Sequence, residues 1–186
     1  NGGILTSSKK QYVDMSNKYG NGAITEEDWQ KYLDEMSLRP ETEEFEEYVQ
    51  NILDLIEYAN GDATTEWGIK RVTDGHKEPF GLKYIAIGNG EFGDVYWRNF
   101  DAVYKVIKEK HPEITIVSYY GDEIIKDDHK KSLETANALY PDVVFAENNS
   151  VGGGNLYKNL YKYDNYGRTG AKIAVGEYGV NTTVGD

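Results

Sequence analysis

The stretch GLKYIAIGN at residues 81–89 decides how the chain is read. Its centre, Tyr84-Ile85-Ala86-Ile87, is a short β-rich apolar run between glycines, the pattern of a buried strand. Working outward, similar runs recur at Ile114–Val117, Val143–Phe145 and Ile173–Val175. The interval is roughly thirty residues, the length of one strand with its crossover helix. Between the first two runs, Val95, Phe100, Val103, Tyr104 and Ile107 recur at helical spacing from Asp94 to Lys110, before a stop at His111-Pro112. A second helix is predicted from about Asp127 to Leu139, ended by Tyr140-Pro141. A Gly-rich loop at 152–154 and a Tyr-rich helix near Leu156 to Tyr166 precede the fourth run. Such alternation predicts an α/β chain with parallel strands and helices outside the sheet.

Upstream of residue 81 the pattern is helical. After Ile4-Leu5, residues 6–24 are rich in Ser, Asn, Gly and Lys and read as a surface loop. Thr25 with Asp28 reads as a helix start, with Trp29, Tyr32, Leu33 and Met36 on one face. Thr42 opens the next helix, in which Phe45, Val49, Ile52, Leu53 and Ile56 recur until Asn60-Gly61.

Composition narrows the function classes. The chain has 186 residues, 39% of them hydrophobic, which suits one domain. A net charge of −12, with no basic stripe, argues against a nucleic-acid partner. Cysteine is absent, and His76, His111 and His129 lie far apart in the sequence. No metal site or cofactor is therefore expected, and the three histidines are assigned surface or loop roles. GNGEFG at 88–93 lacks the remainder of a phosphate-loop or dinucleotide fingerprint. No apolar run reaches the roughly twenty residues of a membrane span, so no membrane association is expected. Asn1 to Lys10 lack the features of a secretory leader. That leans to the cytoplasm and leaves the compartment open. Most of the sixteen tyrosines, including Tyr157, Tyr161, Tyr163 and Tyr166, are read as half-buried packing.

Longer strings carry a resemblance. LDLIEYANGDATTEWGIKRVTDGHKEPF at 53–80 runs into GLKYIAIGN. It is followed in order by DVYWRNFDAVYKVIKEKHPEI at 94–114, YPDVVF at 140–145 and KYDNYGRTGAKIAVGEYG at 162–179. Together these resemble the catalytic domain of the α-L-arabinofuranosidases of glycoside hydrolase family 51. The resemblance implies a (β/α)8-type barrel of which this chain carries part, from the end of strand three to strand seven. The early strands, the last strand and the C-terminal β-sandwich of the family are not expected in residues 1–186. In such a barrel chemistry sits where the strands end, on the βα loops. The places to inspect are Asn89 to Glu91, Ser118 to Gly121, Ala146 to Ser150 and Glu177 to Asn181.

The family uses two glutamates in a retaining mechanism. Gly176-Glu177-Tyr178 matches the nucleophile motif, which implies the nucleophile position for Glu177 and a substrate-binding position for Tyr178. The family's Gly-Asn-Glu appears as Gly88-Asn89-Gly90. By resemblance Asn89 contacts the sugar, and Gly90 stands in the acid/base position. Glu91 is the neighbouring carboxylate. Strand alternation turns it away from the site unless the glycine before it lets the loop re-aim it. Asn148 and Ser150, within Ala146-Glu147-Asn148-Asn149-Ser150, occupy positions where the family carries sugar-positioning residues.

By resemblance the ligand is an arabinose-containing oligosaccharide or polysaccharide. An open partial barrel also implies other barrel segments or further copies of the chain as partners. Three readings stay open on the sequence: part of a retaining arabinofuranosidase, a non-catalytic sugar-binding relative, and a structural or engineered barrel piece that assembles with a partner.

Overall fold

The structure is a computed structural model and describes residues 25, 27, 28, 31, 34, 37–88, 93–120, 126–151 and 161–180. Its first long helix, α1 (Glu43–Asn60), begins where Thr42 Oγ1 accepts the Phe45 amide. Glu43, Glu44 and Glu46 then place negative charge at its positive end. Phe45, Val49, Ile52, Leu53 and Ile56 form its buried face, as their spacing predicts. Upstream, Thr25 and Asp28 exchange side-chain to backbone hydrogen bonds in a capping box. Trp29, Tyr32, Leu33 and Met36 lie outside the described residues.

A helix that the periodicity does not predict, α2 (Glu66–Thr73), follows. It is short, and only its Thr65 cap, Glu66 in the first turn and Lys70 and Arg71 in the last mark it in the sequence. A Cβ on Gly68 would lie 1.8 Å from the Asp62 carbonyl oxygen, so the turn before α2 closes only around glycine.

Arg71 is wholly buried and donates to the carbonyls of Tyr58 (2.8 Å), Gly61 (2.7 Å) and His76 (3.2 Å). The first two close the C-terminal end of α1, where carbonyls lack helical partners and the dipole favours a cation. Asn60 accepts from the Leu82 N–H at 2.6 Å and donates to the Leu82 carbonyl at 2.8 Å. These contacts fix the approach of the chain to the sheet.

The sheet consists of β1 (Tyr84–Ile87), β2 (Thr115–Tyr120), β3 (Val144–Val151) and β4 (Lys172–Val180). Helix α3 (Gly93–Lys110) follows β1, α4 (Lys126–Leu139) follows β2, and a 3-10 turn at Tyr161–Asn165 precedes β4. Strand order is β1-β2-β3-β4 and every pairing is parallel. Spatial order repeats chain order without reversal. That is the winding of a barrel wall, whereas a doubly wound sheet reverses at one strand.

Burial is lopsided across this wall. Ile85, Ile87, Ile116 and Phe145 join residues of α1, α3 and α4, such as Ile56, Phe100, Val103, Ile107 and Ala136, in one buried cluster. On the alternate positions Ala86, Val117, Val144 and Ala174 are only half-buried, and among the described residues Ala146 alone is buried there. An aromatic group closes α3 against the end of α4. Trp97 stacks on Tyr140 with centroids 5.6 Å apart, and the Tyr140 hydroxyl donates to Asp101 at 3.0 Å.

Three expectations need correction. The strands run further than their apolar centres, because backbone pairing continues through polar residues that carry no hydrophobic signal. Ser118 to Tyr120, Ala146 to Ser150 and Glu177 to Val180, expected as loop residues, therefore belong to strands. The Tyr-rich helix near 156–166 is, in its described part, only the five-residue 3-10 turn. His129 is not a surface residue: it lies on α4 with its side chain 12% exposed.

Candidate active-site edge

Since all four strands are parallel, their C-terminal ends share one edge of the sheet. β1 reaches that edge at Ile87, whose carbonyl accepts from the Tyr96 hydroxyl at 2.9 Å. Gly88 then turns the chain with φ of +89°, a conformation that favours glycine. Asn89, Gly90 and Glu91 follow and lie outside the described residues.

At the other side of the sheet β3 and β4 pair over eight register positions. Val144 to Glu147 face Lys172 to Val175 in simple sequence; Asn148 then faces Glu177, and the register shifts between Glu147 and Asn148. Gly176 is the extra residue, as in a β-bulge. Alternation places Lys172 and Ala174 on the half-open face of the sheet and Ile173 and Val175 on the face of Phe145, where Val175 is still 42% exposed. Without the bulge Glu177 would follow Ile173 and Val175. The added residue gives it the place that Gly176 would otherwise take, on the open face. Glu177 is exposed, and Tyr178, opposite Asn149, is 82% exposed. Ser150 stands opposite Gly179. The structure thus brings Glu177, Tyr178, Asn148 and Ser150 together on one strand pair.

Immediately before the bulge lies a charged group to which the sequence reading gives no role. Glu147 is 1% exposed. Its Oε1 lies 2.7 Å from His129 Nε2 and accepts from the Tyr166 hydroxyl at 2.6 Å, while Lys162 Nζ forms an ion pair with Oε2 at 3.0 Å. Burial pushes this carboxyl up, but the His129, Tyr166 and Lys162 interactions outweigh it and bring the pKa down to about 2. The carboxylate is ionised at neutral pH. The His129 ring also packs edge-on against Phe145, with centroids 5.7 Å apart.

A glutamate among polar neighbours reads as solvated, and its partners are distant in sequence, 18 residues for His129 and 19 for Tyr166. Only the fold assembles them. A cleft of about 430 Å³ lies beside this group, lined by Tyr163, Tyr166, Arg168, Ala171, Ile173 and Val175. Glu177 is not part of its wall. Among the described residues no cluster of three or more His, Asp or Glu side chains suits a metal ion, and no helix is long and apolar enough to cross a membrane.

Comparison with known proteins identifies the family of the chain. The family model described as the alpha-L-arabinofuranosidase 1 domain matches residues 10–168. The chain belongs to that family. Alpha-L-arabinofuranosidase 1 of Arabidopsis thaliana is 38% identical over 141 residues, covering 75% of this chain and 19% of that protein. The extracellular exo-alpha-L-arabinofuranosidase of Streptomyces chartreusis is 36% identical over 135 residues, covering 70% of this chain and 16% of its own length. The chain thus spans about a fifth or less of these curated relatives.

Solved family-51 arabinofuranosidases share the fold. An arabinose-bound example aligns with a TM-score of 0.61 at 23% identity, covering 77% of this chain and 21% of the other. The arabinose complex of the Thermotoga maritima arabinofuranosidase aligns with a TM-score of 0.53 at 21% identity, covering 74% and 33%. Both likenesses agree with the parallel, singly wound wall.

Proposed function

We propose that the chain is part of the catalytic barrel of a retaining α-L-arabinofuranosidase, with Glu177 as the nucleophile and the acid/base position taken by Gly90. The observation that carries this reading is the bulge at Gly176, which assigns Glu177 to the open face of the sheet. In this scheme the Glu177 carboxylate attacks the anomeric carbon of a terminal arabinofuranosyl group. The bond to the leaving oxygen breaks, and a glycosyl ester forms. Water then cleaves the ester and releases arabinose.

The acid that protonates the leaving oxygen, and later acts as base on water, has no carboxylate at residue 90. Only leaving groups that depart as stable anions suit such a site. Asn89, Asn148, Ser150 and Tyr178 are assigned to sugar contacts and arabinan or arabinoxylan side chains to the substrate; Glu91 serves as a displaced acid only where the glycine before it re-aims its carboxylate into the site. β1 and β4 are the outer strands among the described residues. Further barrel polypeptide is therefore proposed as partner, pairing with those edges.

A second reading, sugar binding without turnover, is favoured by the glycine at position 90. Release of nitrophenol from an aryl α-L-arabinofuranoside separates the two readings. Turnover abolished by Glu177→Gln supports the first, and calorimetric binding of arabinose oligomers without release supports the second. Neither binding nor release would defeat both.

A further inference from the structure

We infer that Glu147 is a positioning residue that sets the register of β4 and so places Glu177 on the open face of the sheet. The inference rests on the reading of Glu177 above only for the use made of that carboxylate.

β4 is paired on one side only among the described residues, so nothing beyond β3 holds it in register there. In a strand pair of this kind a slip of one residue moves every side chain to the other face. Two clamps oppose such a slip. At the start of β4, Asn137 of α4 accepts from the Ala171 amide at 3.1 Å. The adjoining Gly170 has φ of +92°, and a Cβ there would lie 2.5 Å from Asn137 Oδ1.

At the bulge, Glu147 is the last residue of β3 in simple register, opposite Val175. Its Oε1 meets both His129 of α4 and the Tyr166 hydroxyl, and its Oε2 pairs with Lys162. Lys162 and Tyr166 belong to the segment that runs directly into β4. One buried charge therefore ties together the strand before the bulge, the helix packed behind it and the polypeptide that launches the shifted strand. A general contribution to core packing would need no charge at this place. A buried carboxylate is held only where donors converge on it, and its directional bonds define one arrangement of the segments that bear them.

Amide resonances and amide exchange of the full chain, compared among the parent, Glu147→Gln and Tyr166→Phe, test this. Tyr166→Phe removes one hydrogen bond and leaves Glu147 with His129 and Lys162, so it decides the outcome if Glu147→Gln does not fold. The expected result is displaced resonances for Gly176, Glu177 and Tyr178 and exchange in 172–180 faster by roughly tenfold or more, while α1 and β1 stay unchanged. Glu147→Gln should show the larger effect. Unchanged resonances at 176–178 in the folded variants overturn the inference. So does a uniform loss of protection across the whole chain, which marks a role in general stability. None of these readouts needs turnover. A chain without hydrolysis but with displaced 176–178 signals would defeat the proposed function alone, and an active chain with unmoved signals would defeat this inference alone.

Discussion

Glu177 of β4 stands opposite Asn148 of β3, one residue further along than the pairing of Val175 with Glu147 would place it. From this step the carboxylate gains the open face of the sheet, and Glu147 keeps the covered one. Two glutamates on neighbouring strands thus receive opposite environments. One is exposed, and the other is buried in a cage of donors.

Replacement at residue 90 tests the chemistry assigned to the loop after β1. In Gly90→Glu, hydrolysis of substrates with poor leaving groups should rise by about two to four orders of magnitude where the rest of the pocket is present, the usual contribution of a general acid. Initial rates on an aryl arabinofuranoside and on an arabinose oligomer provide the comparison. The activated substrate should gain less. No gain, even with the remaining barrel strands supplied in trans, would count against the alignment of Gly88-Asn89-Gly90.

Acid should weaken the fold through Glu147. Its pKa lies near 2 in the folded chain against an ordinary 4.5. Its contribution is therefore complete above about pH 4.5 and is lost as pH falls from there toward 2, on the order of 3 kcal/mol in total. Urea unfolding of the parent and Glu147→Gln from pH 7 to pH 3 measures the effect. The parent should lose stability on acidification more steeply than the variant, and identical profiles would refute the assignment.

Arg71 should matter for stability rather than for ligand binding. Arg71→Ala removes a buried cation from three carbonyls and should cost about 3 kcal/mol or more in chemical denaturation. Arg71→Lys should recover only part, since a single ammonium does not reproduce the planar fork that spans Tyr58, Gly61 and His76. Full stability in Arg71→Ala would show that the end of α1 is held by other contacts.

Much of the wall was legible in the sequence because its signals are local. Thr42 and the spacing of Phe45, Val49 and Ile52 mark α1, and the apolar centres of the strands mark their places and order. The polar strand ends were not legible as strand. Asn148 to Ser150 owe their state to backbone pairing with Glu177 to Gly179, a contact between distant segments. α2 was missed because eight residues give too little periodicity.

In the site, the Gly176-Glu177-Tyr178 string falls on β4, while the bulge that turns Glu177 is a property of two strands together. Glu147, His129, Lys162 and Tyr166 carried no joint signal, since each by itself resembles an ordinary polar residue. Asn89, Gly90 and Glu91 lie outside the described residues.

Covalent trapping reads out the nucleophile at Glu177 itself. Incubation of the full chain with an aryl α-L-arabinofuranoside bearing a good leaving group bypasses the need for an acid. Absence of the base then slows release of the ester, so the intermediate should accumulate. Peptide mass spectrometry should find one arabinofuranosyl group on Glu177 and none in Glu177→Gln. An adduct on Glu91 or Glu147 instead, or no adduct on the parent chain, would contradict the account.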